Sequence, residues 1–310
     1  MNHTQLSQRL VGLLAFPLGI ASAITLAIAL PSAGARMELA IMAVFVSSIA
    51  WVRLAERVVP YDIRSQQPVG RDRVVDGTSL AVMMVVADPL LKALWPLLVV
   101  AAWALLGEPT PSGFFSGESP LYWKVPVALL MSGLGEYALH RLSHRWKPMW
   151  GFHALHHSAN RIYWLNGFRS HPINIAWHQL AGYVVLLLAG VDAATVTVVS
   201  ALAVVVSAFQ HANASLSLGP LNYLFSTNAL HRWHHDSRPG RSYVNYGTVL
   251  SVWDWVFGTF YRNDADRPAR AGLEPASEMG VDAQSYWAQF SGPIRWIGRY
   301  PGKLTANSKP

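Results

Sequence analysis

Residues 121–157, LYWKVPVALLMSGLGEYALHRLSHRWKPMWGFHALHH, run from an apolar stretch straight into five histidines. The apolar part, about Leu121 to Tyr137, is long enough to nearly cross a ~30 Å hydrocarbon core at ~1.5 Å per residue. It delivers the HxxxH pair His140 and His144 to one membrane face. The HxxHH cluster His153, His156 and His157 follows without another crossing. At helical pitch, residues three and four apart share a face. Each cluster is therefore expected to point its imidazoles one way.

Working outward, five more apolar stretches resemble this one. They are about Leu10–Leu30, Glu38–Val52, Leu80–Leu106, Ile173–Gly190 and Val191–Gln210, the last two forming a tight hairpin at Gly190–Asp192. Within Leu80–Leu106, Asp88 and Lys92 stand i,i+4 beside Pro89 and are expected to pair at a kink. Leu10–Leu30 has the length of a signal peptide but no clear cleavage site, and is expected to be retained. Composition agrees with a membrane protein: of 310 residues, 52% are hydrophobic and only 13% charged, well below the soluble norm. The expected fold is an all-α, polytopic helical bundle of about four to six spans.

Loop charge sets the expected orientation. Arg53, Arg57, Arg64, Arg71 and Arg73 precede the third stretch, and Arg141, Arg145, Lys147, Arg161 and Arg169 follow the fourth. The 107–120 loop carries only Glu108 and Glu118. Positive loops face the cytoplasm, which places both termini and all histidine clusters there. The net charge of +7 suits anionic lipid, and no aromatic–basic nucleic-acid motif is present. The abundance of Arg points to a bacterial inner membrane. With no Cys, disulfides, thiolate zinc sites and Cys-ligated iron–sulfur clusters are excluded.

Histidine is the anomaly. Of 12, all but His3 lie between 140 and 235, and a second HxxHH cluster comprises His231, His234 and His235. Chance placement gives on the order of 0.02 HxxHH matches. The hairpin goes out and returns, so His211 reaches the same face. Eight to ten imidazoles exceed what one ion takes, and imply two metals. Imidazole alone does not choose among Fe, Zn, Cu and Ni. No HExxH hydrolase pattern and no Glu-x-x-His di-iron carboxylate set is present. Heme would call for isolated histidines on facing helices. His171 is a possible additional ligand or supports one, His178 is expected to be a hydrogen-bonded core residue, and Glu136 is placed to orient a ligand imidazole.

These residues resemble the fatty acid hydroxylase/sterol desaturase superfamily of membrane di-iron enzymes. HRLSH, HALHH and HRWHH carry the resemblance, with RSHP (Arg169–Pro172), FQHAN (ending at Asn213), Asn245–Gly247 and VWDWVFGTF (Val252–Phe260). It implies two Fe ions (Zn possible in purified protein), O2 as co-substrate, and attack on a C–H bond of a lipid or other long apolar molecule. Ligand roles carry over to His140, His144, His153, His156, His157, His211, His231, His234 and His235, with Asn213 behind them. Some relatives place another histidine where this chain has Ser215. No electron-transfer domain is fused, so a separate ferredoxin- or cytochrome-type donor with its reductase is implied. Hydroxylation is the leading expectation. Desaturation at the same site stays open, as do a non-enzymatic metal carrier or sensor and a di-zinc hydrolase. The expected organisation is transmembrane helices over 1–120, a catalytic region over 121–262 with the hairpin at 173–210, and a cytoplasmic or interfacial tail over 263–310. Residues 285–300 are expected along the membrane surface, and Trp164, Trp233 and Trp253 at a substrate entrance.

Overall fold

The computed structural model describes residues 3–107, 113–115, 119–238, 241–268, 270–273 and 282–299. Glu108, Glu118 and the 274–281 and 300–310 segments of the expected tail lie outside them. Among the described residues the chain is all-helical, with three isolated β-bridges and no strand.

Helices α1 (His3–Ser32) and α2 (Met37–Val58) form an antiparallel pair. Helix α3 (Asp72–Val82) runs through a π-helical turn, Met83–Ala87, into α4 (Asp88–Leu106). Asp88 and Lys92 pair at 2.6 Å directly after that turn, as their spacing predicted. The hairpin consists of α7 (Pro172–Leu188) and α8 (Ala193–Gln210). Gly190 turns it in a left-handed conformation (φ +66°), which a side chain would resist. Asp192 caps α8 by accepting from the Thr195 N–H at 2.9 Å.

Among the described residues, four helical segments are long and apolar enough to cross a membrane: His3–Ser32, Met37–Val58, Asp72–Leu94 and Ala193–Gln210. The chain is an integral membrane protein. Two expected spans do not meet that measure. Helix α5 (Leu121–Arg145) is long, but Lys124, Glu136 and its histidine-rich end dilute its apolarity; α7 is apolar but only 17 residues long. Helix α8 is the central span: most of its residues are buried, whereas the other three leave most of theirs uncovered. It packs on α1, α2 and α5, and Phe16 and Phe209 meet edge-on at 5.3 Å in that core. The outer helices turn large apolar side chains outward, Val46, Leu97 and Leu105 among them.

Pro148 ends α5, because its ring cannot follow a continuing helix. The chain breaks at Trp146 and restarts as α6 (Lys147–His157), so the histidines of α5 and α6 face each other. At the opposite end, Lys124 pairs with Asp192 at 2.8 Å. Lys124 and His140 are 16 residues apart on α5, about 24 Å of helix. The histidines therefore occupy one end of the bundle. Beside α6 lies α12 (Tyr286–Arg299), with Trp296 packed on Ala154 and Trp287 exposed.

Candidate metal centre

Nine histidines gather at that end in two adjacent groups. His140, His144, His153, His157 and His234 form one; His156, His211, His231 and His235 form the other. Within each group the ligand nitrogens all lie within 4.8 Å of one another. Eight of the nine residues are buried and His156 is half-buried. The stacked rings of His157 and His235, 4.2 Å apart, join the groups.

The two HxxHH clusters do not each point one way, as their spacing suggested. His153 and His157 serve the five-histidine group and His156 the other. Likewise, His231 and His235, on or just beyond α10 (Asn228–His234), which follows the single-turn α9 (Leu221–Leu224), serve the four-histidine group and His234 the first. Helical pitch gives the reason. Residues i and i+4 lie about 40° apart, whereas i+3 lies about 60° to the other side.

Each group has a built rear wall. The Nδ1 atoms of His140, His234 and His156 donate to the carbonyls of Tyr246 (2.8 Å), Val244 (2.8 Å) and Arg169 (3.2 Å). Those of His153 and His211 face the Oδ1 atoms of Asn174 (3.1 Å) and Asn166 (3.0 Å). The Asn166 amide nitrogen is committed to the Arg161 carbonyl, so its oxygen must face His211. A carbonyl partner fixes the proton on Nδ1 and leaves the Nε2 lone pair pointing inward, as a metal ligand requires.

The inward nitrogens fit a cation. In the four-histidine group, Nε2 contacts run His211–His231 (2.9 Å), His231–His235 (3.0 Å) and His235–His156 (3.1 Å). His156 and His211 already carry their protons at Nδ1. His231 and His235 cannot satisfy the whole row with hydrogen bonds, since their mutual contact would set like against like. In the five-histidine group, Nε2 of His144 and His234 is buried without a partner. Burial, aided by neighbouring imidazoles, holds His153, His157, His231, His234 and His235 well below the usual histidine range. It holds His140 and His156 at about 4. The imidazoles are neutral, the form that binds metal.

The structure places several expected contributors elsewhere. His171 caps α7: Nδ1 accepts from the Ile173 N–H, Nε2 donates to the Phe290 carbonyl, and the ring stacks on Phe290. It belongs to neither group. Glu136 shares a face with His140, but Tyr246 already occupies that ring's Nδ1, so the carboxylate bonds Thr248 instead. The Asn213 side chain holds the Asp62 backbone rather than an imidazole. His178 lies beside His140, ring centroids 5.4 Å apart, with its Nε2 unpartnered rather than hydrogen-bonded. Trp233 is buried against Tyr261 rather than open to an entrance, and the half-buried Trp253 donates its indole N–H to the Leu130 carbonyl. Trp164 packs against the main core under Arg53. The supporting roles of Asn166, Asn174 and the Val244 and Tyr246 carbonyls escape a reading of the sequence; the local cues are that both asparagines flank the RSHP element and that Tyr246 lies in the Asn245–Gly247 element.

Comparison with known proteins converges on this region. The fatty acid hydroxylase family profile matches residues 125–259, which contain all nine histidines. An ornithine lipid hydroxylase, OlsE, of Rhizobium tropici is 30% identical over 260 residues, covering 83% of this chain and 76% of the relative. Alkylglycerol monooxygenases of Caenorhabditis elegans and Homo sapiens are 29% and 28% identical over 156 and 145 residues, or 50% and 46% of this chain. The matches cover only 30% and 31% of those two proteins' own lengths. No solved structure matches significantly. Because the first relative aligns along most of both sequences, the chain belongs to the fatty acid hydroxylase family and is an oxidoreductase.

Proposed function

We propose that the chain is an O2-dependent di-iron membrane oxygenase that hydroxylates a C–H bond of a lipid, with the nine clustered histidines as its metal ligands. The observation that carries this reading is the pair of buried, adjacent, all-imidazole groups, each about the size of one ion's coordination sphere. Two irons, when bound, supply the redox chemistry that couples O2 to C–H cleavage. The chain's own part is to hold neutral imidazoles inward through their Nδ1 partners and to keep bulk water away by burial. Zinc in purified protein is compatible with the same donors.

A lipid substrate fits the centre's place at one end of an apolar bundle, and the relatives' names point to polar-headed lipids. Those names favour hydroxylation over desaturation. The orientation we propose is cytoplasmic, in a bacterial inner membrane. Arginine-bearing ends support it: Glu56, paired with Arg53 at the end of α2, accepts the Asn213 N–H two residues from His211. The transmembrane region 1–120, catalytic region 121–262 and cytoplasmic or interfacial tail 263–310 belong to the same proposal. Electrons come from a separate ferredoxin- or cytochrome-type donor and its reductase.

The test is mass spectrometry of lipids from cells producing the chain or its His234→Ala variant, with and without oxygen. The proposal expects one lipid class to gain one oxygen atom, only in air and only with the unaltered chain. Loss of two hydrogens instead identifies a desaturase. A product formed without oxygen identifies a hydrolase and refutes the proposal.

A further inference from the structure

We infer that the four-histidine group is held in place by acids outside the family-matched region: Asp72 and Asp76 of α3, with Glu56 of α2, as positioning residues. This rests on the nine histidines being metal ligands.

Asp72 and Asp76 are spaced i,i+4 and share one face of α3. Both are buried, at 6% and 0% exposure, where an unpaired carboxylate is costly. Each meets an arginine from the segment between α6 and α7: Asp72 binds Arg161 and Asp76 binds Arg169, both at 2.5 Å. The Tyr163 hydroxyl donates to the second Asp76 oxygen at 2.6 Å.

The same two arginines support the metal centre through their main chain. The Arg169 carbonyl accepts from Nδ1 of His156. The Arg161 carbonyl accepts from the Asn166 amide, whose oxygen faces Nδ1 of His211. Each guanidinium is thus anchored on α3 while its own carbonyl sets the support of one imidazole. Glu56 adds a third tie, accepting from the Trp164 N–H (2.8 Å) and the Asn213 N–H (3.0 Å), on either side of the Asn166–His211 contact.

The five-histidine group takes none of its Nδ1 supports from Arg161 or Arg169; the nearest link is the Arg169 guanidinium's bond to Ser158 Oγ (3.3 Å), next to His157. Its Nδ1 supports are Tyr246, Val244 and Asn174, from the segment after α10 and from α7. Helices α6 and α10 carry ligands of both groups, but the Nδ1 supports come from different segments, so loosening α3's grip should weaken the four-histidine site far more than the other. A merely structural role for Asp76 would weaken both alike.

The experiment measures metal per chain and resistance to a chelator in purified full-length protein. The unaltered chain should hold about two metals. Asp76→Asn should release one of them at about 10–100-fold lower chelator concentration. Combined with His231→Ala, Asp76→Asn should cause no further loss; combined with His234→Ala, it should strip the remaining metal. Tyr163→Phe removes only the bond to Asp76 and should act in the same direction, and it decides the matter if Asp76→Asn does not fold. Unchanged chelator resistance in both variants, or equal weakening of both metals, overturns the inference. Fewer than two metals in the unaltered chain overturns the ligand reading itself, and this inference with it.

Discussion

Asp254→Asn probes how the five-histidine group is held. Asp254 lies on α11 (Val252–Val256) and is 1% exposed. Its carboxylate accepts the Tyr246 and Gly247 N–H groups at 2.8 Å each and the Thr259 hydroxyl at 2.7 Å. That grip aims the Tyr246 carbonyl at Nδ1 of His140, 2.8 Å away. An amide keeps the shape but sets one NH2 against a backbone donor. Leaving one buried N–H unpaired costs about 1–3 kcal/mol. Neutralising the acceptor weakens the remaining bonds by about 1 kcal/mol more. The total, about 2–4 kcal/mol, falls mostly on residues 246–247. Loss of such an outer contact lowers metal affinity about 10–100-fold. Chelator titration of purified Asp254→Asn should therefore show one metal weakened and the His156-containing group unaffected. Asp266→Asn, which breaks an exposed pair with Arg238, is the control and should change neither. If Asp254→Asn keeps both metals as tightly as the unaltered chain, the Tyr246 carbonyl is not what holds His140.

Three further outcomes follow. His171→Ala should retain both metals and loosen α12, read as faster hydrogen exchange over 286–299, because both ring nitrogens are spent on α7 and Phe290. Metal-free protein should lose stability as pH falls. Unfolded histidine titrates near 6.5, whereas His140 and His156 titrate at about 4 in the fold. Below about 6.5 the unfolded chain binds more protons, so melting should be flat above that pH and decline toward 4; a decline only above pH 7 would contradict the burial argument. Reporter fusions after Arg73, Gly190 and Arg262 should read inside, outside and inside, and an outside signal after Arg262 would contradict the proposed orientation.

The parts legible in the sequence were local ones. Histidine spacings of three and four residues mark helical faces, and an apolar stretch followed by Gly190 and Asp192 marks a hairpin. Those cues located the nine histidines that the fold brings together. What they left hidden depends on contacts between distant segments. The split of each HxxHH between two groups is set by where α5, α8 and α10 approach, information that a single helix does not carry. Glu136 shows the same limit, since sharing a face with His140 says nothing about the Tyr246 carbonyl arriving from over a hundred residues away. Backbone carbonyls carry no residue identity, so the support that Val244 and Tyr246 give could not be read, although Tyr246 lies within the Asn245–Gly247 element. The Asp72 and Asp76 anchors were invisible for a related reason: their arginine partners lie about ninety residues further along the chain.

Metal quantification on three proteins, the unaltered chain, His231→Ala and His234→Ala, tests the central claim most directly. Two separate histidine groups require about two metals in the first and about one in each variant, with lipid hydroxylation lost in both variants. A single ion in the unaltered chain, or two metals and near-normal activity in His234→Ala, would contradict the two-group centre and the function built on it.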